Sequence, residues 1–349
     1  MQVDKQHIAH CNILAMKGMG NVAPNPMVGC VIVHQNKIIG KGYHEEYGKA
    51  HAEVNAINSV ADKSLLKEST LYVNLEPCAH FGKTPPCSDL IIEHQIPRVV
   101  IACIDSFSEV SGKGIQKMKA AGTEVIVGVL ETEGLELNKR FFIFHNKKRP
   151  CIILKWAQTK DGFIDIDRSS LNQNDKVDNW ITTPESKQLV HFWRSEEQAI
   201  MIGTNTALND NPKLTVREVD GENPLRIVLD LNLRLSENLH LFDKTVPTIV
   251  FNYQKNKELS NLDFVKIDQN KDLIQQVLNE LYNREIQSVI IEGGAQLLNT
   301  FIEQNLWDEA RVFTGKKEFK KGLEAPKIRL EPKFTMEIES DILRTYFND

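Results

Sequence analysis

Within the first quarter of the chain, four residues have the types and spacing for metal-assisted hydrolysis: His51, Glu53, Cys78 and Cys87. One imidazole and two thiolates form a zinc donor set that leaves a fourth position open, as catalytic zinc sites do. Such a metal lowers the pKa of water toward neutrality, and a carboxylate that is not a ligand then shuttles protons. Glu53, two positions after the histidine, fits that task. The cysteines bracket the stretch NLEPCAHFGKTPPC (74–87), and a disulfide or simple core filling are the alternatives. Six cysteines in 349 residues are too few for a disulfide scaffold. Cys11, Cys30, Cys103 and Cys151 show no ligand spacing and are expected in the core.

The pairing of His51 with Glu53 makes a geometric demand. Residues i and i+2 in mid-helix point about 200° apart. The two share a site only if the histidine sits at or before the first helical turn. Histidine-x-glutamate followed by Glu76-Pro77-Cys78 resembles the signature of zinc deaminases.

The elements that must position these residues fall into two halves. In the first, residues 5–19 read as an amphipathic helix, and VGCVIV and KIIGKGYH flank a hairpin turn. AEVNAINSVA returns to helical spacing, TLYVNL, RVVIACI and TEVIVGV read as strands, and GIQKMKAAG as a helix. Alternating strands and helices predict a three-layer α/β/α domain over 1–146, with 144–150 (FHNKKRP) as the junction. A second α/β domain over 147–349 is expected. Its strands are CIILKWAQT, AIMIG, LRIVLD, TIVFNY and SVIIEGG, its helices lie near 184–197, 271–284 and 295–305, and its tail is antiparallel.

Composition narrows the function classes. Apolar content of 41% and charged content of 26% are ordinary for a soluble protein, and the net charge of −5 gives no basic footprint for long nucleic acid. No run approaches a membrane span, and the first residues resemble neither a signal nor a transit peptide, so a cytoplasmic protein with a small-molecule partner is expected. A tRNA deaminase with an attached binding domain is the alternative. A degenerate second domain, leaving a deaminase alone, is another.

At EPCAHFGKTPPC, together with PNPMVG (24–29), GYH (42–44) and HAEV (51–54), the first half is similar to the deaminase domain of the RibD family of bifunctional riboflavin-biosynthesis proteins. LKWAQTKDG (154–162), WIT (180–182), HFWRSEEQAIMIGTNT (191–206), DNPKLTVR (210–217) and RIVLD (226–230) follow in the order of that family's reductase domain. The resemblance implies a cytidine-deaminase-like domain and a dihydrofolate-reductase-like domain. It implies zinc deamination of a diaminopyrimidinone ribosylamino phosphate and reduction of the ribose with NADPH; a homo-oligomer is expected separately.

By position it places Asn25, His44, Lys83, Thr84 and Asp105 at the deaminase substrate. Ala157, Trp180, Thr206, Asp210, Gly294, Ala295 and Gln296 would touch the cofactor, and Arg194, Leu214, Arg217 and Glu292 the second substrate. The residue chemistry agrees: Lys and Arg suit a phosphate, and Glu292-Gly293-Gly294 joins a strand to a helix whose N-terminus favours an anion. Local alternatives are an ion pair of Arg194 with Glu196 or Glu197, a core position for Trp180 and a solvated loop for Lys83. Lys155 is either the proton donor of the reduction or a structural lysine at a strand end. Phe107, Asp178 and the basic segment 314–326 depart from the family pattern.

Overall fold

The computed structural model describes residues 2–79, 85–105, 111–168 and 179–348. Lys83, Thr84, Phe107 and Asp178 lie outside them. The chain divides into two compact units, Met1–Arg149 and Pro150–Asp349.

The first unit is a five-stranded sheet of β1 (Gly29–His34), β2 (Lys37–Tyr43), β3 (Thr70–Leu75), β4 (Arg98–Cys103) and β5 (Glu124–Val127), in the order β2-β1-β3-β4-β5. β1 is antiparallel to both neighbours, whereas β3, β4 and β5 run parallel. The hairpin turns at Gln35 and Asn36, both at positive φ (47° and 61°). Side chains alternate across the sheet. Cys30, Ile32, Leu71, Val73, Val99 and Ile101 pack with α2 (Ala52–Ser59), α3 (Cys87–Glu93) and α4 (Lys113–Ala120). Val31, Val33, Tyr72, Val100 and Ala102 pack beneath α1 (Gln2–Ala15). Both faces are covered, so these strands read as continuous apolar runs. Cys11, Cys30, Cys103 and Cys151 are buried, as expected.

α5 (Glu131–Leu137) and α6 (Lys139–Lys147) close the unit. The stretch expected as a junction at 144–150 is therefore helical as far as Lys147, because Phe141, Phe142 and Phe144 are buried and hold the helix down. The first helix ends at Ala15 rather than 19, where a 3-10 turn (Met16–Gly18) takes over.

The second unit is built on β6 (Cys151–Gln158), β7 (Phe163–Ile166), β8 (Ala199–Gly203), β9 (Leu225–Leu229), β10 (Thr248–Asn252), β11 (Lys257–Leu259), β12 (Leu262–Lys266), β13 (Ser288–Glu292), β14 (Glu309–Thr314), β15 (Gly322–Glu324), β16 (Phe334–Ile338) and β17 (Asp341–Phe347). Ten form one sheet, ordered β11-β12-β10-β9-β8-β13-β6-β14-β17-β16, and β7 and β15 form a separate ribbon. From β12 to β14 neighbouring strands are parallel, while β11, β17 and β16 add antiparallel edges. α9 (Leu273–Asn283) and α10 (Ala295–Glu303) pack into the larger core with Ile152, Leu154, Met201 and Phe251. Trp193 of α7 (Pro184–Glu196) and Ala207 of α8 (Thr204–Asp210) join Ile200, Ile202, Val228 and Val250 on the other face.

Candidate active sites

His51 is the N-cap residue of α2, extended at φ −71° and ψ 161°, and Glu53 lies in the first turn. This satisfies the geometric demand, because the non-helical backbone at position 51 frees the imidazole from the mid-helix 200° separation. Cys78 follows β3, and Cys87 opens α3 after Pro86. The His51 Nδ1 lies 3.6 Å from Cys78 Sγ and 3.3 Å from Cys87 Sγ, and all three donor atoms fall within 4.8 Å of one another. Among the described residues no other group of three such ligands is drawn together. Imidazole and thiolate donors at this spacing suit zinc, and the cysteines are unbridged.

The Cys87 thiol and then the His51 imidazole hold the Cys78 thiol below the ordinary thiol range, against the cost of burial. The Cys87 N–H also donates to Cys78 Sγ at 3.3 Å. Glu53 is 3% exposed, and burial pushes its carboxyl up to about 7 although His51 opposes the shift. A carboxyl balanced near neutrality both takes and gives a proton.

Next to this centre, the Asn25 amide lies 3.0 Å from His44 Nε2, and His44 Nδ1 lies 3.1 Å from the Ala50 carbonyl. With Nδ1 donating to that carbonyl, Nε2 accepts from Asn25. Burial lowers the His44 pKa, which keeps the ring neutral and this pattern intact. The His44 and His51 rings are 5.6 Å apart, so Asn25, His44 and the donor set share one place. Asp105 is buried just beyond β4.

Sequence reasoning missed the supports of the PNPMVG loop. Asn138 Oδ1 accepts from the Met27 N–H at 2.8 Å, and Asn74 Oδ1 accepts from the Gly29 N–H at 2.8 Å. Both amides also donate to the Met27 carbonyl. A polar Asn inside the apolar strand TLYVNL was the available signal for Asn74; Asn138 offered none.

In the second unit, Lys155, Ala157, Trp180, Arg194, Thr206, Asp210, Leu214, Arg217, Glu292, Gly294, Ala295 and Gln296 line one cavity of about 1480 Å³. The cavity lies at the carboxyl ends of the parallel strands, where α/β sheets hold ligands. Lys155 and Glu292 face each other in register on β6 and β13. Arg194 Nη2 donates to Glu292 Oε2 at 2.9 Å, so the local pairing with Glu196 or Glu197 is replaced by one reaching 98 residues along the chain. Arg194 Nε and Glu292 Oε1 are buried with no hydrogen-bond partner of their own, an arrangement that leaves one donor and one acceptor for a ligand. Burial lowers the Lys155 pKa, Glu292 opposes this, and Arg194 adds to it.

Arg217 is tied to Thr215, whose carbonyl also accepts from Arg194. The Arg217 N–H donates to Nδ1 of the buried His191, a support the sequence did not reveal. Leu214 sits at φ 54°, its side chain 2% exposed and packed in the core where that core meets the cavity wall. Trp180 is 57% exposed, which excludes the core position.

Gly293 turns at φ 100°, and a Cβ there would lie 2.6 Å from Thr206 Oγ1. The Gly294 N–H donates to the same hydroxyl at 2.9 Å, and α10 begins at the next residue. This glycine turn before a helix fits a pyrophosphate, and the cavity is large enough for a dinucleotide. Asp210 is bound to Arg168 at 3.3 Å. The basic segment 314–326 is not a free loop: Asp161 accepts from the N–H groups of Phe319 and Lys320, and β15 pairs with β7.

A His/Cys/Cys donor set beside a buried glutamate on a mixed five-stranded sheet defines a zinc-dependent deaminase of the cytidine-deaminase type; the second unit is a dihydrofolate-reductase-like domain. The model for the cytidine and deoxycytidylate deaminase zinc-binding region matches residues 1–103, and that for the RibD C-terminal domain matches 150–317. The chain is 41% identical over 327 residues to the riboflavin biosynthesis protein RibD of Aquifex aeolicus, covering 92% of this chain and 89% of that one. It is 32% identical to RibD of Escherichia coli, covering 90% and 88%. The crystal structure of the Thermotoga maritima diaminohydroxyphosphoribosylaminopyrimidine deaminase/5-amino-6-(5-phosphoribosylamino)uracil reductase superposes with a TM-score of 0.88 at 36% identity, covering 99% of this chain and 98% of that one. The chain belongs to the RibD family, the bifunctional zinc deaminases and NADPH-dependent reductases of riboflavin biosynthesis.

Proposed function

We propose that the first unit deaminates 2,5-diamino-6-(5-phosphoribosylamino)pyrimidin-4(3H)-one and that the second reduces the ribosyl group of the product to ribityl. The observation that carries the first step is the buried Glu53 carboxyl beside the His51, Cys78 and Cys87 donors. Zinc, when bound by those three, supplies a Lewis acid that makes water a nucleophile near neutrality. Glu53 takes the proton of the attacking water and passes it to the departing amine, so that water is consumed and ammonia released. Asn25 and His44 orient the ring, and Lys83 and Thr84 contact the phosphate side.

For the second step, NADPH supplies the reducing equivalents when bound along Ala157, Trp180, Thr206, Asp210 and the Gly294–Gln296 helix start. Arg194 and Arg217 bind the 5-phosphate, with Leu214 beside them. Glu292 binds the ribose. Lys155, whose ammonium is made a readier acid by burial, gives the proton taken up by the nitrogen on C1′ as the opened ribosyl group is reduced. A cytoplasmic location and a homo-oligomeric state complete the proposal. Sedimentation of the full chain tests the last: a particle of the single-chain mass, 39.7 kDa, would refute it.

The decisive experiment supplies the diaminopyrimidinone to zinc-loaded protein and follows ammonia release and NADPH oxidation separately. Glu53→Gln is expected to abolish ammonia release with zinc still bound. Ammonia release that survives this change removes Glu53 from the mechanism.

A further inference from the structure

Glu76 stands two residues before the ligand Cys78 and is the second acidic residue of the motif, yet the chemistry above leaves it unused. It is 4% exposed. Both of its oxygens are occupied: Oε2 accepts from the Gly112 N–H at 2.9 Å, and Oε1 from the N–H groups of Gly114 (3.0 Å) and Ile115 (3.3 Å). These donors belong to the start of α4, whose Ile115 and Met118 are anchored in the core. A carboxylate that satisfies three helix-start N–H groups is held by charge-assisted bonds and by the helix dipole.

Two further contacts fix the same stretch. The Glu76 N–H donates to the Cys103 carbonyl at 3.0 Å, tying it to the end of β4. Pro77 presses its carbonyl onto Gly114, where a Cβ would lie 2.2 Å from that oxygen. The two residues before Cys78 are thus held by β4 on one side and by α4 on the other.

We infer that Glu76 is a positioning residue of the deaminase: its carboxylate, clamped across the start of α4, sets where Cys78 places its thiolate. The inference rests on His51, Cys78 and Cys87 being the metal ligands. Gln in place of Glu76 keeps the shape but turns an acceptor oxygen into an NH2 that confronts a backbone N–H, which loosens the clamp without emptying it.

The test uses the full chain loaded with cobalt(II) in place of zinc, so that the thiolate-to-cobalt absorption reports the geometry of the two cysteine ligands, Cys78 among them. In Glu76→Gln that absorption is expected to change, and chelator is expected to remove the metal about tenfold faster. On zinc-loaded protein, the deaminase kcat falls by about 10- to 100-fold with little change in KM, as for loss of a group that orients a ligand. The reductase activity of the same chain stays at the wild-type value. Gly114→Ala pushes on Pro77 from the opposite side and is expected to give the same spectral and kinetic signature, and it carries the test if Glu76→Gln binds no metal. Wild-type absorption, chelation rate and kcat in both variants would overturn the inference, as would loss of metal in Glu76→Gln with Gly114→Ala unaltered. A wild-type protein lacking the thiolate band would instead overturn the ligand assignment, and the inference with it.

Discussion

Replacing Glu292 by Gln separates charge from shape in the reductase cavity. Glu292 Oε2 accepts from Arg194 Nη2 at 2.9 Å, with both side chains only 11% exposed. The carboxylate also offsets the effects of burial and of Arg194 on Lys155. Losing a hydrogen bond to a charged group costs about 1.5–3 kcal/mol, which is about ten- to a hundredfold in rate. Reductase kcat/KM is therefore expected to fall by that range while ammonia release from the same chain is unchanged. A second readout concerns the proton. The donor works only as ammonium, so reduction fails as pH rises through the Lys155 pKa. Glu292 raises that pKa, so Glu292→Gln must move the alkaline limb of the kcat profile to lower pH. The assay is the loss of NADPH absorbance with deaminated substrate across a pH series. A limb that stays in place or moves upward refutes Lys155 as the donor.

Other outcomes follow from single contacts. In chelator-treated protein the Glu53 carboxyl, raised from 4.5 to about 7, contributes stability that is full below pH 4.5 and lost as pH rises through 7. Metal-free Glu53→Gln should then exceed the metal-free wild type above pH 7, by up to about 3 kcal/mol in urea unfolding; a less stable variant contradicts the burial account. Gly293→Ala drives a Cβ against Thr206 at a φ of 100° and should weaken NADPH binding, read by fluorescence titration, with zinc content unaltered. Arg226 is fully buried and donates to Asp243, Thr248 and the carbonyls of His240 and Val246. Arg226→Leu should cost about 1–3 kcal/mol of stability in calorimetry for each buried acceptor it leaves unmatched at Thr248, His240 and Val246, whereas Asp243 keeps its bonds from Thr245.

Local patterns were legible where one element carries the whole signal. TLYVNL became β3 and the hairpin formed around Gln35 and Asn36, since strands buried on both faces and turns at positive φ leave marks in adjacent residues. His51 at the start of α2 was required by the helical angle alone. What escaped depends on distant chain. Arg194 chose Glu292 over its helix neighbours, and Asn138 reaches back 111 residues to hold Met27. Glu76 reads in the sequence only as part of the motif two residues before Cys78, and its bonds to the start of α4 depend on a helix start arriving from residues 112–115. β14 was missed because Glu309 and Arg311 interrupt its apolar run; inside the fold they pair with each other.

The three metal donors come from separate places: the start of α2, the end of the β3 loop and the start of α3. No hairpin or helix of this unit holds two of them, so metal binding is coupled to bringing all three elements together. Binding energy gained there is added to the stability of the whole unit, in proportion to the logarithm of free metal over its dissociation constant. The concentration of free metal thereby sets the stability of the unit as well as its turnover.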